Sequence, residues 1–124
     1  WSKQLNAPRL RDDLRTLGMS EKELNSVKPI EDLPSLDSAE QIFGSLYVIE
    51  GSNLGGQVIS RHLKEKFGFD ETNGAAFFSG YGKETGKMWN EFRESISEFV
   101  ENADEEKIIT SAIETFKKIG NALA

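Results

Sequence analysis

Apolar residues recur at helical spacing along most of the chain, and no stretch alternates apolar and polar residues over the length of a strand. Within residues 7–17 the leucines fall at positions i, i+4 and i+7, which places them on one side of a helix. Two C-terminal stretches repeat the same spacing. Their apolar positions are Met88, Phe92, Ile96 and Phe99 or Val100 in the first, and Ile108 or Ile109, Ala112, Phe116, Ile119 and Leu123 in the second. The pattern predicts an all-α protein in which each set forms a buried stripe.

Capping and turn residues divide this pattern into about five helices. Ser20 and Glu23 form the S-x-x-E arrangement of a capping box, which predicts a short helix ending near residue 27. Prolines at positions 29 and 34 mark the following loop. The remaining boundaries are an N-cap at Asp37 or Ser38, a C-terminal stop at Gly68 and an N-cap at Asp104.

The long helix that ends before Gly68 has an unusual composition. Between residues 42 and 60 its only formally charged residue is Glu50, and its other positions are apolar or small on nearly every side. A helix that is apolar all round is buried on several sides, so this helix is predicted to be central to the fold. It also contains four glycines, at 44, 51, 55 and 56, although each glycine costs ~1 kcal/mol relative to alanine in a helix interior.

Three of these glycines share a face of the predicted helix. At 100° per residue, Gly44, Gly51 and Gly55 lie within about 40° of one another, flanked by Tyr47 and by aliphatic side chains. Glycine removes side-chain bulk and lets a partner contact the backbone. The pattern has two interpretations, close packing against another helix or a planar ligand lying on the backbone. The same glycines favour a kink between residues 51 and 56.

Composition narrows the functional classes. The 124 residues carry a net charge of −6 and contain no cysteine. The acidic balance argues against nucleic-acid binding, and the lack of thiols excludes disulfides and thiolate metal sites. No apolar run reaches the ~20 residues of a membrane-spanning helix, so a cytoplasmic protein without membrane contact is expected. The chain begins at Trp1 rather than methionine, which indicates a trimmed chain or part of a longer one.

The order of residues in "LYVIEGSNLGGQVISRHL" resembles the distal helix of the haem oxygenases, especially the bacterial group found beside bacteriophytochromes. Gly51, Gly55, Gly56 and Gln57 match the glycine-rich motif of that helix. The segments "APRLRDDLRTLGM", "FFSGYGKETGKMWNEF" and "AIETFKKIGNAL" are similar to family segments on either side. The resemblance implies an all-α, haem oxygenase-like bundle of helices around a central glycine-kinked helix.

The resemblance also implies a function. The family binds haem as both cofactor and substrate, takes electrons from an external reductase or ferredoxin, and uses O₂ to open the porphyrin, giving biliverdin, CO and iron. The residues implied in catalysis are Gly51, Ser52 and Gly55. Those implied in haem binding are Tyr47, Val48, Gly51, Gly55, Gly56, Val58, Phe116 and Arg93. No metal ligand is assigned in this chain.

The chain departs from the family pattern in two ways. The family's proximal histidine, which ligates the iron, lies in an N-terminal helix, whereas this chain has no histidine before His62. His62 itself is expected to lie at the edge of the bundle. The chain is therefore expected to be a single domain over residues 1–124 that lacks its N-terminal helices and is inactive alone. Ser52 also replaces an aspartate that many members carry.

Two other functions remain open. Loss of the proximal histidine would leave a haem oxygenase-like binding or interaction domain without catalysis. A central helix that is apolar all round would also suit a helical domain that forms a homodimer through its glycine face. Under any of these functions, Glu50 and Gln57 are expected to form hydrogen bonds within the core.

Overall fold

A computed structural model, which describes residues 6–124, contains five α-helices and one turn of 3₁₀-helix within that range. Helix α1 spans Asn6–Thr16, α2 spans Glu21–Ser26, α3 spans Ala39–Phe67, α4 spans Thr85–Val100 and α5 spans Glu105–Leu123, with the 3₁₀ turn at Gly82–Glu84. The described residues contain no strand beyond isolated bridges at Asp70. The all-α prediction is confirmed. None of the helices between residues 6 and 124 has the length and apolarity to cross a membrane.

The predicted helix boundaries are confirmed by their caps. At α2 the Ser20 hydroxyl accepts from the Glu23 N–H, and the Glu23 carboxylate accepts from the Ser20 N–H at 2.7 Å. Gly68 ends α3 with a φ of 71°, in the left-handed region that glycine adopts without strain. Asp104 caps α5 by accepting from the Lys107 N–H at 3.2 Å. Helix α3 is continuous over 29 residues, and the kink stays a prediction.

The chain forms two compact units, each assembled from two separate stretches. The first unit combines the residues up to Pro29 with Asn53–Gly86. The second unit combines Ile30–Ser52 with Lys87–Ala124. Helix α3 accordingly contributes its C-terminal half to the first unit and its N-terminal half to the second.

A buried carboxylate organises the first unit. Asp13 of α1 is 5% exposed, and its two oxygens accept from the backbone N–H groups of Ala76 and Phe77, both at 2.8 Å. Nearby, the Arg9 guanidinium donates to the Gly80 carbonyl at 2.8 Å. These bonds satisfy backbone groups in the turn at residues 75–80, which would otherwise be buried without partners. The sequence pattern did not indicate this role for Asp13.

In the second unit, α5 packs on the N-terminal half of α3 through small and polar residues. The Ser111 hydroxyl donates to the Gln41 carbonyl at 2.7 Å, and the hydroxyls of Ser45 and Thr115 lie 2.7 Å apart. A Cβ atom on Gly44 would stand 2.7 Å from the Cβ of Ser111, closer than real contacts allow. Gly44 is therefore explained by close helix packing.

Because of this packing, the buried face of α5 differs from the predicted one. Ile108 is buried as predicted, but Ser111 and Thr115 occupy the rest of the interface. The predicted buried positions Phe116, Ile119 and Leu123 are wrong, since they are 71%, 40% and 83% exposed. The physical reason is that Gly44 and Ser45 let α5 approach closely only with its small side chains, which turns the large ones outward.

The core of the second unit is aromatic. Phe92 of α4 is 2% exposed, in agreement with the stripe predicted for that helix. Phe43 of α3 stacks on Phe99 with ring centroids 4.4 Å apart and lies 6.4 Å from Phe92. For α3, the predicted burial on several sides is wrong within the described residues. The exposed large apolar residues of this helix are Ile42, Tyr47, Ile49, Leu54, Val58, Ile59 and Phe67.

Candidate functional site

The four glycines of α3 have different surroundings. Gly44 lies against α5, as described above. Gly56 is buried, and a Cβ atom there would stand 2.8 Å from the carbonyl oxygen of Phe78. Both glycines thus permit close packing within the chain. The packing interpretation explains these two positions, and a haem-binding role for Gly56 stays a prediction.

Gly55 differs because its backbone is open. No heavy atom lies within 4 Å of the place where its Cβ atom would stand, beyond the helix's own backbone and chain neighbours. In the next turn of the helix, Val58 is 52% exposed and Ile59 is 43% exposed. This stretch of the first unit therefore presents bare backbone bordered by aliphatic side chains, which is the surface that a flat apolar ligand requires.

Gly51, in the second unit, lies against an aromatic side chain. Its Cβ position is 3.5 Å from Cη2 and 3.6 Å from Cζ3 of Trp89, which is ordinary van der Waals contact. The Trp89 ring is also 5.4 Å from the ring of Tyr47, which is 47% exposed. Val48, another predicted haem contact, is half-buried. Trp89 is not among the site residues that the sequence implied.

Tyr47 also lines an apolar groove of the second unit. The groove has a volume of about 590 Å³, which falls in the ~300–1,000 Å³ range of small-molecule sites. Its walls come from α3, from the C-terminal half of α4 and from the N-terminal half of α5, and they are mostly aliphatic. The lining residues are Tyr47, Ile96, Ser97, Val100, Glu105, Ile108, Ile109, Ala112 and Ile113.

Two polar residues of α3 donate hydrogen bonds to backbone carbonyls. The exposed Ser52 hydroxyl donates to the Ile49 carbonyl at 2.6 Å. The Gln57 amide donates to the Ser79 carbonyl at 2.9 Å, which confirms the hydrogen bond expected for that residue. Glu50 is 6% exposed, so it is buried as expected.

The remaining predicted residues lie on the surface. Phe116 of α5 is 71% exposed, and Arg93 of α4 is exposed. His62, the only histidine, is exposed near the C-terminal end of α3. Within residues 6–124, no cluster of three His, Asp or Glu side chains is arranged to hold a metal ion.

The clearest shifts in pKa belong to caps and surface ion pairs. A hydrogen bond from Lys118 to Asp32 raises the pKa of the Lys118 ammonium. The backbone N–H of Ser20 lowers the pKa of the Glu23 carboxyl. Both groups stabilise local structure, in the loop before α3 and at the start of α2 respectively. Neither group belongs to the candidate site, which consists of open backbone and apolar surface.

Comparisons with known proteins converge on one family. The family model described as Heme oxygenase matches residues 3–123. A protein named heme oxygenase from Xanthomonas campestris pv. campestris (strain 8004) is 41% identical over 66 residues. That alignment covers 53% of this chain and 36% of the relative, so the match spans about a third of the relative's length. No solved structure gives a significant match.

Proposed function

The chain belongs to the haem oxygenase family, and from this premise we propose that the intact protein binds haem and degrades it to biliverdin, CO and iron. The reaction consumes O₂ and takes electrons from a reductase or ferredoxin, and its compartment is the cytoplasm. Since the matched segment covers 36% of the relative, the proposal concerns a protein that contains this chain together with the source of the iron ligand.

The open backbone at Gly55 is the observation that carries the proposal. Two other glycines of α3 are explained by contacts within the chain, whereas Gly55 has free space where a side chain would stand. Exposed Val58 and Ile59 border it. A porphyrin ring gains most from a surface that lets it approach backbone closely and that replaces water by aliphatic contacts.

Two residues of the second unit supply properties that haem needs. Phe116 is the predicted haem contact on α5, and its 71% exposed ring offers apolar area to a conjugated ligand. Arg93 is exposed on α4, and its guanidinium suits the two carboxylates that haem carries. Tyr47 adds a half-exposed ring on α3.

Haem, when bound, supplies the iron and the conjugated ring at which O₂ is activated. The chain's own residues position the ring and shape its surroundings. Gly55 provides open backbone that a ligand can approach, whereas the backbone at Gly51 lies against Trp89 and its catalytic role stays a prediction. The Ser52 hydroxyl donates to the Ile49 carbonyl, which leaves its oxygen able to accept from an ordered water near that backbone. Gln57 is fixed by its bond to Ser79 and stiffens the same helix.

The open, apolar surface at Gly55 supports binding of a porphyrin ring, but the described residues supply no candidate for the proximal ligand. His62 lies seven residues beyond Gly55, which is ~10 Å along a helix. We therefore assign the iron ligand to a segment outside residues 6–124. If that segment has no histidine, the lack of a ligand within residues 6–124 favours the second candidate, a haem-binding domain without catalysis.

The test compares two leucine substitutions in the intact protein. Gly55→Leu fills the open space on α3, and Gly86→Leu adds the same side chain to α4, where a Cβ atom also meets nothing within 4 Å. Both variants should fold, as judged by circular dichroism. Hemin titration should show a Soret band for the wild type and for Gly86→Leu, and a large loss of affinity for Gly55→Leu.

Turnover then separates the two candidate functions. Ascorbate or a reductase should bleach the Soret band of the wild type as biliverdin appears. Hemin binding without biliverdin would support the non-catalytic domain. Failure of the intact wild type to bind hemin, or equal binding by Gly55→Leu, would contradict the proposed site.

A further inference from the structure

Trp89 packs in a cluster of three aromatic rings. Its ring stacks on Phe92 at 5.8 Å with an interplanar angle of 26°, and Phe92 is 2% exposed. It also meets Tyr47 at 5.4 Å with an angle of 58°, and Tyr47 is 47% exposed. The Tyr47 and Phe92 rings are themselves 6.5 Å apart, so the three rings form one compact aromatic wall, Tyr47–Trp89–Phe92, in the second unit.

This wall covers the backbone at Gly51. The benzene edge of the indole lies at van der Waals distance from the Cβ position of Gly51. Any side chain larger than a methyl group there would collide with it. Trp89 is itself half-buried, so part of the ring remains available to a ligand. Rings of this kind pair with other conjugated rings in offset or edge-to-face contacts.

A positively charged side chain, Arg93, lies one helical turn from Trp89 of the aromatic wall. Trp89 and Arg93 are four residues apart on α4, which makes them neighbours on the same side of that helix. Arg93 is exposed and has a guanidinium available for carboxylates. An aromatic wall beside an exposed guanidinium matches a ligand that is flat, conjugated and anionic at its edge.

We propose that Trp89 is a specificity-determining residue that recognises the conjugated tetrapyrrole ring itself, with Arg93 taking a ring carboxylate, so that recognition at this wall does not depend on iron. The proposal rests on the proposed haem-binding function and deepens it. It extends the ligands of this wall to iron-free porphyrins that carry the same carboxylates.

The test uses iron-free protoporphyrin IX as the probe and the 124-residue chain as the protein. Trp1→Phe leaves Trp89 as the sole tryptophan of the 124 residues, so the emission followed in the titration is that of Trp89. Porphyrin bound within a few ångströms of the indole should quench that emission almost completely. The titration measures affinity without any turnover and without an iron ligand.

Substitutions then test whether the ring contributes to affinity. Trp89→Leu should raise the Kd for protoporphyrin roughly three- to tenfold, the value of an aromatic contact. Trp89→Phe should show a smaller increase because it retains a ring, and it serves as the variant of choice if the leucine variant does not fold. Phe67→Leu is the matched control, since Phe67 is 65% exposed and stacks on Phe69 in the other unit.

The outcomes separate this proposal from the proposed function. Two results would overturn the role of Trp89 and assign the residue to packing alone. One is unquenched Trp89 emission, and the other is equal protoporphyrin affinity in the wild type, Trp89→Phe and Trp89→Leu. If the intact protein still binds hemin in that case, the haem oxygenase function stands. If the intact protein fails to bind hemin, the proposed function falls whatever the protoporphyrin result.

Discussion

The hydroxyl groups of Ser45 and Thr115 lie 2.7 Å apart in the interface between α3 and α5, and both residues are almost fully buried. A hydrogen bond between two short hydroxyl side chains at this point shows that the helices meet through polar contact and close approach rather than through large apolar side chains.

Removing one of these hydroxyls should cost more than removing both. Ser45→Ala or Thr115→Val leaves the partner hydroxyl buried without this bond, and each should lower the free energy of unfolding by about 1–3 kcal/mol. The double variant should recover part of that loss, because no polar group is then left behind. Urea denaturation of the four proteins measures the coupling, and strictly additive losses would contradict a direct bond.

Alanine at Gly44 and at Gly55 should have opposite effects on stability. Gly44→Ala places a methyl group against Ser111 and the backbone of α5, and overpacking of this kind should cost about 1–3 kcal/mol. Gly55→Ala meets no obstacle and removes glycine from a helix interior, so it should stabilise the chain by ~0.5–1 kcal/mol. Thermal and urea unfolding measure both. Equal effects at the two positions would contradict the close contact at Gly44.

The Asp13 carboxylate should control the order of the turn at residues 75–80. Asp13→Ala removes both acceptors for the N–H groups of Ala76 and Phe77 and should lower stability by about 1–3 kcal/mol per buried N–H left unpaired. Hydrogen exchange of those two amides should accelerate before that of α5. Asp12→Ala is the control, because the neighbouring Asp12 side chain is 71% exposed and pairs with Arg15. Unchanged exchange at residues 76 and 77 in Asp13→Ala would count against the role of Asp13.

The cap of α2 should weaken in acid. Hydrogen bonds from the backbone N–H and the hydroxyl of Ser20 lower the pKa of Glu23 below its ordinary value of 4.5. A carboxyl whose folded pKa is depressed contributes stability that is fully present above 4.5 and is lost as the pH falls through the lower folded value. NMR titration should place the Glu23 midpoint below 4.5. Glu23→Gln, which can still bond the Ser20 N–H, should keep the cap and lose this pH dependence.

The sequence predicted the features that depend on neighbouring residues. The Ser20–Glu23 capping box and the stop at Gly68 involve contacts within four residues, so residue type and spacing suffice. The buried Asp13 could not be anticipated, because its partners lie 63 and 64 positions away and are backbone groups that carry no signal in the sequence.

The face of α5 shows a different limit. Hydrophobic spacing ranked Phe116 as core, yet the helix buries Ser111 and Thr115 because the opposite helix offers Gly44 and Ser45. Hydrophobic periodicity distinguishes the two faces of a helix, but the face that becomes buried depends on the helix packed against it. In the candidate site, the glycine motif pointed to α3, whereas the different surroundings of Gly51, Gly55 and Gly56 became visible only with the fold. The sequence held a partial signal for Trp89, because its four-residue spacing from Arg93 places both on the same side of a helix.

The interleaved composition of the two units bears on how the protein is made. Each unit takes one stretch from the first half of the chain and one from the second. During synthesis the first unit has all of its residues only after Gly86 has emerged, and the second must wait for the final helix. Residues 30–52 therefore leave the ribosome well before their partners exist. Until those partners emerge, the apolar side chains of residues 30–52 stay uncovered, and transiently uncovered apolar surface of this kind is prone to aggregation.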